Sequence, residues 1–259
     1  MAETPQPRVS ALYRYPIKGL SPEPLHEITL GAGETLPFDR AYAIENGPGR
    51  FDPAAPKHLP KINFLMLMRD ERLAALESKF DDADHTLTIL RAGKPVVRGD
   101  LRTRLGRQLI EQFFAAYMKT ELRGPPKIVA APGHSFSDVA AKCVHIVNLA
   151  SVRELERAVG RPVDPLRFRA NVYLDGLAPW AEQGWVGAEL ALGQARLKVF
   201  DRTGRCEATN VDPKTGVRDL AIPAVLQRTW GHTNFGIYAT ATSGAIVYIS
   251  DPVAVNKTP

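Results

Sequence analysis

The amino-acid sequence predicts a β-rich α+β fold that is divided into two barrel-like units. Short strand patterns outnumber helix patterns, and strands and helices do not alternate as they do in a parallel βαβ protein. The run Gly124-Pro125-Pro126 interrupts the chain near its middle and is the best candidate for a boundary between the units. A chain of 259 residues is long enough for one or two domains.

The composition is that of an ordinary globular protein, with 44% hydrophobic and 24% charged residues. No apolar run approaches the roughly 18 residues that a membrane-spanning helix needs, so we expect no membrane insertion. The segment Met1–Pro7 has no basic and apolar leader, which argues against a secretory signal. The two cysteines are too few for a disulfide framework or a four-thiolate metal site. We therefore expect a reducing, cytoplasmic setting.

The formal net charge of +5 is spread along the chain, without the interleaved basic and aromatic residues that bind single-stranded nucleic acid. We therefore predict no nucleic-acid partner. The 22 arginines outnumber the 11 lysines. Arginine recognises phosphate and carboxylate groups in bidentate geometry, so this excess fits an anionic ligand. The codon bias of a GC-rich genome explains it equally well.

Strand patterns dominate the first half of the chain. Alternate residues are apolar in the run Val9–Tyr15, and Pro16 ends this strand because it has no N–H to donate to a ladder. A second short strand is predicted at Ala41–Ile44 and is followed by a turn-rich loop. Thr86–Leu90 and Val96–Arg98 flank a glycine turn and predict a hairpin.

One helix in the first half is predicted from its 3.6-residue periodicity. It begins near Asp100 or Thr103, and its apolar stripe consists of residues four apart, with two more beside them, namely Leu105, Leu109, Phe113 and Tyr117 with Ile110 and Phe114. Arginines occupy the other faces, and we interpret them as a solvated surface.

The second half opens with a strand at Val144–Asn148, after which Ser151 and Glu154 have the spacing of a capping box that starts a helix. Gly160 and the proline two residues later predict the end of this helix. A single strand is predicted at Asn171–Leu174 and a hairpin at Leu190–Phe200. A closing pair of strands is predicted at Phe235–Ala239 and Ile246–Ile249.

The common catalytic and cofactor-binding motifs are absent from the sequence. It contains no Walker A loop, no glycine-rich dinucleotide fingerprint and no His-Glu-x-x-His zinc motif. The run Gly133–Ser137 only half matches the nucleophile elbow of serine hydrolases, because a serine replaces the closing glycine.

Cys206 carries the strongest chemical signal. It follows a predicted strand, has Arg202 and Arg205 close by, and is preceded by Gly204, which gives the loop backbone freedom. Neighbouring cations favour the thiolate, which is both a nucleophile and a metal ligand. On the residues alone, a quiet half-buried cysteine explains these facts equally well. Cys143 directly precedes an apolar strand and is interpreted as a packing residue.

Short motifs in both halves occur in the order found in one known family. The first half contains Tyr15-Pro16-Ile17-Lys18 and Phe38-Asp39-Arg40. The second half contains Phe136–Asp138, Phe168–Val172, Arg205–Thr209, Val211–Gly216, Asn234–Tyr238 and Asp251–Val253. This series resembles the MOSC family (molybdenum cofactor sulfurase C-terminal domain), preceded by its N-terminal β-barrel domain. The resemblance implies a MOSC N-terminal β-barrel domain over 8–125 and a MOSC β-barrel domain with peripheral helices over 126–257.

The resemblance also implies a molybdenum cofactor, molybdenum held by a molybdopterin, in a cleft between the two units. The resemblance makes Cys206 the protein ligand to the molybdenum. The cofactor contacts that it implies are Lys18, Arg40, Arg169, Asn171 and Arg205, with Lys142 substituting by charge for hydroxyl side chains of the relatives. Asp212 is expected to position a water molecule or a proton. Cationic side chains suit a phosphate-bearing anion.

The function implied by the resemblance is that of an oxidoreductase. It reduces N-hydroxylated small molecules such as hydroxylamines and amidoximes, and a separate electron-donor protein is expected because the sequence lacks the cysteines of a ferredoxin domain. Two alternatives stay open. One is a module that binds the cofactor, or carries sulfur on Cys206, without redox chemistry, and the other is a phosphate-binding protein that uses the arginines without a metal.

Overall fold

A computed structural model describes residues 6–256, which form fifteen strands and three α-helices with short 3₁₀ turns between them. Most of Met1–Pro7 and the last residue of the predicted second unit, 257, lie outside this range. The β-rich α+β class predicted from the sequence is confirmed. None of the helices within 6–256 has the length and apolar character that crossing a bilayer requires.

The elements are numbered along the chain. The strands are β1 (Arg8–Arg14), β2 (Glu23–Leu25), β3 (Glu27–Leu30), β4 (Ala43–Glu45), β5 (Leu76–Phe80), β6 (Thr86–Arg91), β7 (Lys94–Asp100), β8 (Lys127–Val129), β9 (Val144–Asn148), β10 (Val172–Asp175), β11 (Glu189–Leu192), β12 (Ala195–Gly204), β13 (Asn234–Ala241), β14 (Ala245–Tyr248) and β15 (Val253–Asn256). The helices are α1 (Arg104–Tyr117), α2 (Leu149–Val159) and α3 (Ile222–Trp230).

Eight strands form one large sheet in the order β15-β11-β12-β13-β9-β10-β1-β2. Neighbouring strands are antiparallel except β9 and β10, which run parallel. The sheet curls far enough for Arg8 and Pro252 to form an isolated bridge, so it is barrel-like, although its ladder does not close. Alternating apolar side chains such as Val9, Ile146 and Leu197 fill its interior.

The first three strands lie in sheets that they share with strands of the second half of the chain. β1 pairs with β10, β2 with β1, and β3 with β14. Soon after β1, however, Ile17 and Leu20 belong to the core of the first unit. The segment Tyr15–Leu20, called here the crossing segment, therefore runs from one unit to the other and carries Lys18 between them.

The first unit is built on the sheet β5-β6-β7, the pair β4-β8 and the helix α1. Two predictions for this unit are confirmed. The hairpin is β6-β7, in which Arg91 pairs with Lys94 across the glycine turn. The predicted helix is α1, and its N-cap is Thr103, whose hydroxyl accepts a hydrogen bond from the Gly106 N–H at 3.0 Å.

The predicted apolar stripe of α1 is confirmed at Ile110 and Phe114 and wrong at its first two leucines. Leu105 and Leu109 are 67% and 41% exposed, whereas Gly106, Ile110 and Phe114 face the core. The helix is rotated because the backbone at its glycine packs directly against the end of β7, which brings the neighbouring face of the helix into the core.

Gly106→Ala is expected to destabilise the protein. The added Cβ would lie 2.1 Å from the carbonyl oxygen of Asp100, which is a backbone atom and cannot rotate away. This overlap outweighs the helix propensity that alanine gains, so the free energy of unfolding should fall by about 2 kcal/mol in urea denaturation. Gly184→Ala is the control, because no atom lies within 4 Å of its added Cβ. Equal effects of the two substitutions would contradict this account.

The capping-box prediction for α2 is also wrong. The helix begins directly after β9, so the last strand residue, Asn148, caps it by accepting from the Ala150 N–H at 2.9 Å. Ser151 lies buried within the helix and donates to the Glu182 carboxylate at 2.9 Å. The predicted end is confirmed, since Gly160 has the left-handed backbone of a C-cap, with φ of 79°.

The last two predicted strands are present but do not pair with each other. β13 lies between β12 and β9 in the large sheet, whereas β14 pairs with β3, with Ala245 opposite Leu30. The helix α3 was not predicted, although Pro223 in its first turn and Gly231 at its C-cap mark its ends.

Candidate functional site

A cleft with a volume of about 350 Å³ lies between the two units. The first unit contributes Lys18 from the crossing segment, Arg40 from the loop before β4, and Lys61 from a 3₁₀ turn. The second unit contributes the residues just before β10 and those at the end of β12. Most of these groups lie in loops held by a rigid sheet, a common location for functional side chains.

Lys18 lines the cleft and is almost completely buried. Its Nζ donates to the Phe136 carbonyl at 2.8 Å and to Asp138 Oδ1 at 2.5 Å. Burial lowers the pKa of Lys18, and the Asp138 carboxylate opposes this shift. The next residue, Gly19, has a φ of +84°, and a Cβ there would lie 3.0 Å from the Leu65 carbonyl oxygen, so the backbone requires glycine.

Asp138 is surrounded by cations. Besides its contact with Lys18, its Oδ2 lies 3.5 Å from Lys61 Nζ. Desolvation in the cleft acts against the charge, but Lys18, Lys61 and Arg40 outweigh it and hold the pKa of the Asp138 carboxyl well below its ordinary value. The carboxylate therefore stays ionised and links two lysines from the first unit.

Arg40 and Arg169 both lie against the ring of Tyr15, with Cζ atoms 4.4 and 4.3 Å from the ring centroid. Each has a left-handed backbone with φ of 52°, a strained conformation that proteins keep mainly at functional sites. Burial lowers the pKa of Arg169 to about 10. Its guanidinium donates to the Leu20 carbonyl at 2.8 Å, and no carboxylate among residues 6–256 forms an ion pair with it.

Asn171 and Asp39 hold Arg40 in place. Asn171 Oδ1 accepts from Arg40 at 3.3 Å and from the His145 N–H at 3.1 Å, while its Nδ2 donates to the Tyr13 carbonyl at 3.2 Å. Asp39 forms an ion pair with the same guanidinium. Both side chains thus orient the arginine.

Arg205 is oriented by backbone carbonyls. Its Nε donates to Phe235 at 2.8 Å and its Nη1 to Phe168 at 3.1 Å, and within the described range it has no carboxylate partner. Its Nη2 contacts His145 Nε2. Burial, reinforced by the Arg205 charge, lowers the pKa of His145 well below its ordinary value, so the imidazole is neutral and accepts this bond.

Cys206 is half-buried, and its Sγ lies 3.3 Å from Lys61 Nζ. Because Lys61 belongs to the first unit and Cys206 to the second, this contact crosses the cleft. Thr209 donates to the Cys206 carbonyl through its N–H at 3.1 Å and its hydroxyl at 3.0 Å, which fixes the cysteine backbone. Gly204 was predicted to give the loop before Cys206 backbone freedom, but it is the last residue of the strand β12. A Cβ at this position would have room, so the site does not require glycine there.

The charge of the cleft is strongly positive. Seven basic and three acidic side chains line it. Withdrawing a cation from water is costly when no anion compensates it, yet Arg169 and Arg205 have no carboxylate partner among residues 6–256. This arrangement fits a ligand that brings its own negative charge.

Two predicted site residues do not line the cleft. Lys142 Nζ pairs with Glu34 at 2.6 Å on the surface. Asp212 Oδ1 accepts from the N–H groups two and three residues later, at 2.9 and 2.8 Å, so it shapes a turn. Cys143 does line the cleft, but burial raises the pKa of its thiol to about 12, which keeps it protonated.

Three cleft residues were not predicted as site residues, namely Lys61, Asp138 and His145, although Asp138 lies in one of the quoted motifs. Lys61 lies in a short turn without periodicity and is 145 positions from the cysteine that it contacts, so no local pattern marks it. His145 is a polar residue inside an apolar strand, between Val144 and Ile146, and that interruption is a detectable signal.

The fold and the site define a two-unit, β-rich protein with a cationic cleft for an anionic ligand and one half-buried thiol at the cleft wall. Comparison with known families is consistent with this class. Residues 6–123 match the MOSC N-terminal beta barrel domain, and residues 131–254 match the MOSC domain. The chain therefore belongs to the MOSC family, in the arrangement that includes the N-terminal barrel domain.

Several relatives have related names. The chain is 24% identical to the rat mitochondrial amidoxime reducing component 2, over 85% of this chain and 65% of that protein. It is 28% identical to the human mitochondrial amidoxime-reducing component 1, over 42% of this chain and 35% of that protein. It is 33% identical to the molybdenum cofactor sulfurase of Caenorhabditis elegans, over 38% of this chain and 14% of that protein. The chain thus spans less than two thirds of each of these relatives.

Among solved structures, the YuaD protein of Bacillus subtilis aligns over 98% of both chains with a TM-score of 0.47 and 13% sequence identity.

Proposed function

We propose that this protein binds a molybdenum-bearing pterin cofactor in the cleft and reduces N-hydroxylated small molecules there. The observation that carries the proposal is the half-buried thiol of Cys206 in a cleft whose arginines, Arg169 and Arg205, have no carboxylate partner among residues 6–256. The names of the rat and human relatives support this choice of reaction.

The residues of the cleft fit such a cofactor. Arg40, Arg169 and Arg205 can offer guanidinium donors to a phosphate group, and Lys18 adds a further cation. Within 6–256 there is no cluster of three or more His, Cys, Asp or Glu side chains that could hold a metal ion. Cys206 would therefore be the single protein ligand, and the cofactor would supply the others. When bound, the cofactor supplies two-electron redox chemistry.

The protein side chains near Cys206 act on the substrate and its protons. The overall reaction adds two electrons and two protons to an N–OH group, breaks the N–O bond, and releases water and the reduced nitrogen compound. Lys61 Nζ, beside the thiol, donates a hydrogen bond to the hydroxyl oxygen of the substrate as negative charge develops there. Asp138, 3.5 Å from Lys61, keeps that ammonium in position.

The electrons come from a separate donor protein in this proposal. We further propose that the protein works in a reducing compartment such as the cytoplasm, because Cys143 and Cys206 are both free thiols. Cell fractionation tests this location, and recovery of the protein only from an oxidising compartment would contradict it.

The experiment that tests the function uses protein produced in a host that makes the cofactor. An amidoxime is supplied with a chemical electron donor, and formation of the amidine is followed. We expect turnover that depends on molybdenum content. Protein that holds molybdenum but reduces neither amidoximes nor hydroxylamines would overturn the proposed reaction and favour the cofactor-binding or sulfur-carrying module.

Lys61→Met is expected to lower kcat/KM for an N-hydroxylated substrate by about 100-fold, because a charge-assisted hydrogen bond to the reacting oxygen is lost. The molybdenum content should stay at the wild-type level, and Lys61→Arg should restore most of the rate. Lys57→Met is the control, since Lys57 lies on the same segment, is exposed and does not line the cleft. An equal loss in both Met variants would contradict the role given to Lys61.

A further inference from the structure

A second, larger cavity of about 790 Å³ opens on the first unit. It is bounded by the segments 34–42, 101–107 and 127–134. Asp39 lines both cavities, so the segment around it separates them. Neither the proposed cofactor nor the proposed reaction uses this second space. We propose that it is a binding site for an amphipathic carboxylate, with Arg107 as the contact for the anionic group.

The walls of the second cavity are largely apolar. They include Leu36, Pro37, Leu101, Val129 and Pro132. A pocket of this kind removes hydrocarbon surface from water, which is the main favourable term for an aliphatic or aromatic ligand. The apolar part of the ligand is therefore expected to lie against these walls.

The polar part of the cavity has an excess of positive charge. The two acidic residues of its lining are already compensated, Glu34 by Lys142 and Asp39 by Arg40. Two further carboxylates lie beside the cavity: Asp100 pairs with Arg102 at 3.0 Å, and Glu111, one helical turn from Arg107, accepts from the Ile128 N–H at 2.8 Å. Two lining cations, Arg107 and Lys127, have no ion pair among residues 6–256.

Arg107 is the better placed of these two cations. Its guanidinium is half-buried and donates from Nη1 to the Leu101 carbonyl at 2.9 Å, which fixes its position and leaves other N–H groups for a ligand. A planar guanidinium matches a carboxylate in bidentate geometry. Tyr42, whose hydroxyl lies 2.6 Å from His85 Nδ1, adds a hydrogen-bonding group to the same lining.

Together, the charge and the apolar walls select one ligand chemistry. A fully polar anion would leave the apolar walls unused, and a neutral hydrocarbon would leave Arg107 uncompensated. A molecule with a carboxylate at one end and a hydrocarbon chain or ring at the other satisfies both parts of the cavity.

Calorimetric titration of the full-length chain with octanoate tests the proposal, with 1-octanol as the uncharged probe. We expect saturable one-to-one binding of octanoate and at least about tenfold weaker binding of octanol. Arg107→Gln should weaken octanoate binding about tenfold or more. Arg104→Gln should leave it unchanged, because Arg104 lies on the same helix but is exposed and outside the cavity lining.

A second variant acts through the volume of the cavity. Ala130 lines the cavity, so the larger side chain of Ala130→Phe fills part of the cavity and should also weaken octanoate binding. Cys206→Ser should bind octanoate as the wild type does, so the result does not depend on the proposed reductase function. Absence of saturable binding at millimolar octanoate, equal binding of octanol, or equal effects of Arg107→Gln and Arg104→Gln would overturn the proposal.

Discussion

Cys206→Ser is expected to abolish reduction of N-hydroxylated substrates, with a loss of about 10³-fold or more in initial rate. A serine hydroxyl is a much weaker ligand than a thiolate for a thiophilic metal, so the protein would lose its bond to the metal. Initial rates with an amidoxime and a chemical electron donor measure this effect.

Cys143→Ser is the matched control for this substitution. Cys143 also lines the cleft, but burial raises the pKa of its thiol to about 12, so it packs as a protonated side chain. Its replacement should leave most of the activity in protein that remains folded. If both serine variants lost activity to the same extent while keeping wild-type circular dichroism, Cys206 would have no special role.

Arg169→Met is expected to change stability and cofactor binding in opposite directions. In cofactor-free protein it removes a cation that burial disfavours, so the free energy of unfolding should rise by about 1 kcal/mol. In loaded protein it removes a charge-assisted bond to the cofactor, about 2–3 kcal/mol, which weakens affinity by about 30- to 100-fold. Urea unfolding and the retention of molybdenum during dialysis measure the two effects.

Arg167→Met, two residues earlier, is the control for Arg169→Met. Arg167 is buried and pairs with Asp219 at 2.8 Å and Asp212 at 3.3 Å. Its removal takes the buried cation away from two carboxylates, although Asp219 keeps Arg161 at 2.7 Å, and should cost about 2 kcal/mol of stability. A comparable loss of stability in both variants would show that Arg169 is a structural residue and is not kept for a ligand.

Local features of the fold could be predicted from the sequence. The strand β1, the glycine turn of β6-β7 and the glycine that ends α2 each depend on neighbouring residues, and each is confirmed. The strict alternation predicted for β1 is wrong, because a bulge between Val9 and Ala11 places Val9 and Leu12 in one core, whereas Ala11 and Tyr13 pack against another. The errors have physical causes of another kind. The face of α1 depends on how closely Gly106 packs against β7, and the partner of β14 is a strand more than two hundred residues away.

Some residues of the candidate site could likewise be predicted from the sequence, and others could not. Lys18, Arg40, Arg169 and Arg205 lie in short motifs with a recognisable order, and the structure brings all four to one cleft with Cys206. Lys61 could not be predicted, because its position beside the thiol depends on how the two units meet. Asp212 shows the opposite error, since closeness in sequence to Cys206 does not bring its side chain into the cleft.

The proposed function rests on the claim that the cleft holds a molybdenum cofactor through Cys206. The most direct test is metal analysis of protein from a host that makes the cofactor, comparing the wild type, Cys206→Ser and Cys143→Ser. We predict about one molybdenum per chain in the wild type and in Cys143→Ser, and loss of the metal in Cys206→Ser. Absence of molybdenum from the wild type, or equal molybdenum in both serine variants, would contradict the claim.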